Sequence, residues 1–167
     1  MARKSRRGDL VMMKQPTHYG FGVRPMTIAE FCELPMSGLL KLAVRDMQTF
    51  EGRGGKIDMR DWLTTAEQGP CIACMAGSVL SCTLRQDSIN TCCLEPWWEC
   101  IDAIDEMRQG NFGAAADDLG IHLSLGQEEA LNSARHLVKF SWRPDGSLRS
   151  TDEAYLQAAE ILESVGL

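Results

Sequence analysis

The chain has 167 residues, 44% of them hydrophobic and 24% charged, with a formal net charge of −6 at pH 7. That balance excludes a wholly disordered chain, and a single domain of this size buries about 70% of its unfolded surface. Acidity disfavours general binding to nucleic-acid phosphates and suits a basic partner or mimicry of a polyanion.

The charge is uneven. Up to Arg24 six basic residues oppose one acid, Asp9, whereas the rest carries 11 basic and 22 acidic residues. Residues 1–25 therefore read as a basic, flexible arm, with Leu10 to Met13 able to form a short strand. Nucleic acid can be reached only through this arm, by Arg3, Lys4, Arg6 and Arg7, which lack interleaved aromatics for base stacking. The basic start is followed by Asp9 and a four-residue apolar run, too little for a secretory signal. No stretch approaches the ~20 apolar residues of a membrane span. Seven cysteines, an odd number, predict free thiols in a reducing cytoplasm.

Residues 26–167 read as a single helical domain. Thr27-Ile-Ala-Glu30 is a capping box, with Met26 and Phe31 placed as a hydrophobic staple and Pro35 as the stop. Ser37 is the expected cap of the next helix. Leu39, Leu40, Ala43, Val44, Met47 and Phe50 follow helical spacing, and Lys41, Arg45 and Asp46 are read as lying mostly off that stripe. Gly52 and Gly54-Gly55 end it. Ile57 and Met59 alternate with polar neighbours, as in a short strand before Trp62, and residues 64–69 read as loop.

Pro70 suits a first helical turn, and Cys71 to Leu84 is small or apolar nearly all round, which predicts a buried central helix. Residues 85–93 read as loop. Glu95-Pro96 opens a further helix with Trp97, Ile101, Ile104 and Arg108 in line and Glu99, Asp102, Asp105 and Glu106 on the wet face. Asn111 to Leu119 reads as a short helix closed by Gly120. Ser124 with Gln127 and Ser150 with Glu153 are two more capping boxes, each followed by an apolar stripe, with a Pro144-Asp145-Gly146 turn between. The fold class expected is mainly α: a compact multi-helix bundle around the central helix, with one or two short strands.

Three segments together resemble a family of small proteins of tailed bacteriophages and prophages: Ile57-Asp58-Met59 with Trp62, Cys71-Ile-Ala-Cys74-Met-Ala-Gly-Ser-Val79, and Ile104-Asp-Glu-Met-Arg108-Gln-Gly110. Its members look like "IDM..W", then "C.vC.AGAv", then an "L..lR.G" helix. The likeness covers roughly Leu39 to Phe112. Met75 and Ser78 stand where leucine and alanine are usual, and the arm, Cys92-Cys93 and the last helix fall outside it. The resemblance implies a phage origin and a host-cytoplasm location. It implies no activity, ligand or site.

The chemistry-bearing groups are few. Cys71-x-x-Cys74 at a helix start admits a thiol-redox pair, since helix amides lower a thiol's pKa. It also admits a zinc knuckle completed by Cys92 or Cys93 and a histidine, although no second CxxC exists. His18, His122 and His136 are scattered. The acids Asp102, Asp105 and Glu106 share a helix face, and one of Trp97 and Trp98 is expected to be partly exposed, as an interface anchor. Gly52-Arg-Gly54-Gly55 lacks the phosphate-loop spacing. The expected function is a non-enzymatic phage-type accessory protein that binds a host or phage protein, for example to inhibit a host system. The alternatives are a zinc or thiol-redox protein, and a small-ligand binder with a pocket beside the central helix.

Overall fold

A computed structural model describes residues 26–60, 63–64, 71–84, 97–139 and 151–167. The basic arm, Trp62, Cys92, Cys93, Pro96, the Pro144-Asp145-Gly146 turn and the cap at Ser150 lie outside the described residues. The elements are α1 (Ile28–Cys32), α2 (Met36–Gly52), β1 (Lys56–Ile57), β2 (Leu63–Thr64), β3 (Ile72–Ala73), α3 (Met75–Cys82), α4 (Trp98–Arg108), α5 (Phe112–Asp118), α6 (Leu125–Lys139) and α7 (Thr151–Ser164). The fold is mainly α, with a small three-stranded sheet.

Local signals account for several boundaries. The Thr27 amide donates to Glu30 Oε2 at 2.8 Å, and the Glu30 amide donates to Thr27 Oγ1 at 3.3 Å. Phe31 is fully buried and Met26 packs against the same core, as a staple requires. The Ser124–Gln127 box also forms, at 3.0 and 3.4 Å. One cap differs from expectation. α2 begins at Met36 with Pro35 as N-cap, so Ser37 sits inside the helix. Its amide donates to the carbonyl of the buried Leu167 at 3.1 Å, so a distant backbone carbonyl satisfies a first-turn donor.

The apolar stretch expected to be one helix from Pro70 divides. Ile72 and Ala73 form β3, parallel to β1 and antiparallel to β2, in the order β1-β3-β2. The Cys71 and Ala73 carbonyls accept from Lys56 and Asp58 at 2.8 and 2.9 Å. Those bonds hold the segment extended, and the helix starts only after Cys74, its N-cap. α3 is buried as its composition predicts: Met75, Ala76, Val79 and Leu80 are at most 1% exposed. Burial of each large apolar side chain contributes roughly 1.5–3 kcal/mol. Ser78 is buried too, its hydroxyl bonded to the Met75 carbonyl at 2.7 Å.

α2 packs against α3, α4, α7 and β1, and α7 also packs on α6. One core contains Leu39, Ala43, Met47, Val79, Ile101, Ile104 and Leu162. A smaller cluster of Phe50, Ala73 and Cys82 lies beside the sheet. Among the described residues no helix is long and apolar enough to cross a membrane.

Candidate functional site

α4 is amphipathic. Ile101, Ile104 and Met107 are fully buried, while Glu99 and Asp102 are exposed and Glu106 is half-buried. Glu99, Asp102 and Glu106 follow i, i+3, i+7 spacing and so share one face. α5 packs on α4 and brings Asp118 to that face. The Asp102 carboxyl is raised above the ordinary range by partial burial and then by Asp118, Asp105 and Glu106. Asp118 is raised by partial burial and then by Glu106, Asp117 and Glu99. The strongest charges on both groups are other carboxylates, so the two helices form an acidic ridge under self-repulsion.

The residues predicted for this face divide by role. Asp105 belongs to the framework: it accepts from Arg108 Nε at 2.7 Å, and the pair is only 17% and 13% exposed. Arg108 also donates through Nη1 to the Met59 carbonyl, tying α4 to the turn after β1. The Arg108 carbonyl accepts from Tyr155 Oη at 2.6 Å, which fastens α7. Burial pushes that phenol up to about 12. Trp97 is buried, stacked on the half-buried Trp98 with ring centroids 4.7 Å apart. Trp98 stands one turn before Asp102 on the same face, so of the two rings it is the one beside the ridge.

The Cys71–Cys74 pair does not sit on a helix turn. Cys71 is half-buried ahead of β3, and Cys74 is buried at the α3 N-cap. Burial pushes the Cys74 thiol up, opposite to the shift a redox thiolate needs. Burial likewise pushes Cys82 and Cys100 up to about 12, with Asp46 adding to the first and Cys32 to the second. Among the described residues no three metal-ligating side chains cluster. In native protein a thiol reagent is therefore expected to modify Cys32 and Cys71, with Cys74, Cys82 and Cys100 reacting only on unfolding. Rapid native modification of Cys74, followed by peptide mass analysis, would overturn this assignment.

Asp46 departs from the expectation that set it mostly off the apolar stripe of α2. It is fully buried, with Thr83 Oγ1 donating to its Oδ2 at 2.5 Å and Oδ1 without a partner among the described residues. Its carbonyl accepts from Cys82 Sγ at 3.7 Å. Burial pushes its carboxyl up to about 7, against the smaller opposing effects of Thr83, Arg45 and Arg53. The signal was present in the chain: Leu39, Ala43, Asp46 and Phe50 follow i, i+4, i+7, i+11 spacing, which places Asp46 on the apolar stripe.

A cleft of about 540 Å³ opens between α5 and α6. No family model matches the chain, and no curated protein or solved structure matches it significantly.

Proposed function

We propose that the protein is a non-enzymatic accessory protein that binds a basic partner along the α4–α5 ridge of Glu99, Asp102, Glu106 and Asp118, with Trp98 beside it. The observation that carries this is the crowding of carboxylates at Asp102 and Asp118, each raised first by partial burial and then by neighbouring acids. Like charges held close cost free energy in the isolated protein, and a partner's cations relieve that cost on docking. A large ring beside the charges supplies an anchor once it is desolvated. The motif resemblance supports a phage origin and a meeting in the host cytoplasm; the partner on this reading is a host or phage protein, and inhibition of a host system is one outcome of its capture.

The test compares the parent and an Asp102→Lys/Asp118→Lys variant as immobilised baits in host extract. The parent is expected to retain a basic protein at low salt and release it as salt rises, because exposed charges are screened beyond about 8–10 Å near physiological ionic strength. The variant is expected to retain none of it, while its circular dichroism matches the parent's. With that protein purified, the variant slows association, whereas Trp98→Ala speeds dissociation at a cost of about 2 kcal/mol. Retention of the same proteins by both baits would sink the proposal.

A further inference from the structure

The cleft between α5 and α6 has a floor, two walls and a polarity. Phe112 and Leu131 on its floor are buried, and Leu123 is half-buried beside them. The α5 wall is made of small residues, Gly110, Gly113 and Ala114. A Cβ placed on Gly113 would meet nothing within 4 Å, so the chain leaves that space open. At about 540 Å³ the cleft falls within the roughly 300–1,000 Å³ of small-molecule sites.

The α6 wall presents Glu128, Asn132 and Arg135 at i, i+4, i+7 spacing, on one helix face. α5 and α6 join through residues 119–124 and run back along each other. The Lys139 side chain lies over Gly110 at the start of α5, its Cε 2.9 Å from where a Cβ would stand. Asp117, near the end of α5, lines the cleft toward the start of α6, where Glu128 stands. The cleft therefore carries carboxylates at one end and Arg135 at the other, with the Lys139 side chain just beyond it over Gly110. Seven residues of helix separate Glu128 from Arg135, about 10 Å. The side chains of Asp117, Glu128, Asn132 and Arg135 make no hydrogen bond or ion pair among the described residues.

We propose that this cleft binds a short apolar peptide with free termini, three residues long. Its ammonium end lies at Asp117 and Glu128, its carboxylate at Arg135 and Lys139, and its middle side chain on Phe112 and Leu131. The length follows from the charge separation, because an extended chain spans ~3.3–3.6 Å per residue, so three residues cover about 10 Å. The apolar floor favours a leucine-like central residue. Planar guanidinium pairs with a carboxylate through two parallel hydrogen bonds, and Asn132 is placed to bond the peptide's backbone amides. The site is separate from the ridge, since Asp118 faces α4 while Asp117 lines the cleft.

The experiment titrates the full chain with Ala-Leu-Ala, followed by amide chemical shifts and by calorimetry. Saturable binding is expected, with shifts confined to the cleft residues of α5 and α6. Acetylating the peptide's amine or amidating its carboxylate each removes one charged contact and is expected to weaken binding about tenfold or more. Arg135→Gln is expected to do the same while leaving the amide-blocked peptide's affinity unchanged. Gly113→Leu starts a side chain from a Cβ position that meets nothing within 4 Å, fills the open space and is expected to abolish binding. No saturation by Ala-Leu-Ala, equal binding of the doubly blocked peptide, or parent-like binding by both variants would each overturn the proposal. A single free amino acid binding as tightly as the tripeptide would overturn the length, and with it the peptide assignment.

Discussion

Asp46→Asn is expected to be more stable than the parent at pH 8 by up to about 4 kcal/mol, and close to it at pH 4. The folded carboxyl sits at about 7 instead of the ordinary 3.8. Between those values the folded state holds a proton that the unfolded chain has released. Stability of the parent therefore falls as pH rises from about 4 to about 7, and is level above that. The cause is burial in α2 against α3, where the Thr83 hydroxyl donates to Oδ2 and Oδ1 has no partner among the described residues. Ionising a carboxylate there costs more than that one bond returns. Asparagine keeps the shape and the acceptor for Thr83, and it does not ionise. Asp58 works in the opposite direction, because Arg60 hydrogen bonds hold it well below the usual carboxylate range. Its contribution is present above the ordinary carboxylate pKa and is lost as pH falls below it. Since both proteins carry Asp58, the difference between them isolates Asp46. Urea unfolding across pH 4 to pH 8 measures it, and parallel pH profiles for the two proteins would refute the assignment.

Gly55→Ala is expected to destabilise the fold by about 1–3 kcal/mol, at the upper end of that overpacking range. Two adjacent glycines follow α2, and they serve different ends. Gly54 takes φ +87°, which favours glycine by conformation, and a Cβ there would meet nothing within 4 Å. Gly55 has no such φ, yet a Cβ on it would stand 2.3 Å from the ring of Phe50. That ring is fully buried in the cluster with Ala73 and Cys82, so it has nowhere to move. Gly54→Ala is expected to cost only about 1 kcal/mol, from the positive φ alone. The steric origin is checked by a double-mutant cycle: Phe50→Leu shrinks the side chain, and the pair should be less destabilised than the sum of the single variants. Additive losses would mean that the ring is not what Gly55 makes room for.

The helices were legible because the forces that mark them act within four residues of chain. The Thr27–Glu30 and Ser124–Gln127 boxes, the stripe from Leu39 to Phe50 and the small-or-apolar, uncharged Met75–Cys82 segment each state their own structure through spacing and composition. The acidic face of α4 was readable for the same reason. The sequence by itself thus determined a mainly helical protein and the apolar stripes of its helices, with Asp46 as the misplaced member. Tertiary structure decided the rest. Two-residue strands carry no periodicity, so β3 arose only from pairing with segments on either side. Arg108 ended an apolar line with no sign that Asp105, Met59 and Tyr155 would meet there. Asp118 reached the ridge and Arg135 the cleft through the folding back of α5 and α6. Asp46 shows the division most sharply: its place on the stripe is written in the chain, but its proton affinity depends on desolvation, and desolvation is set by what α3 lays over it.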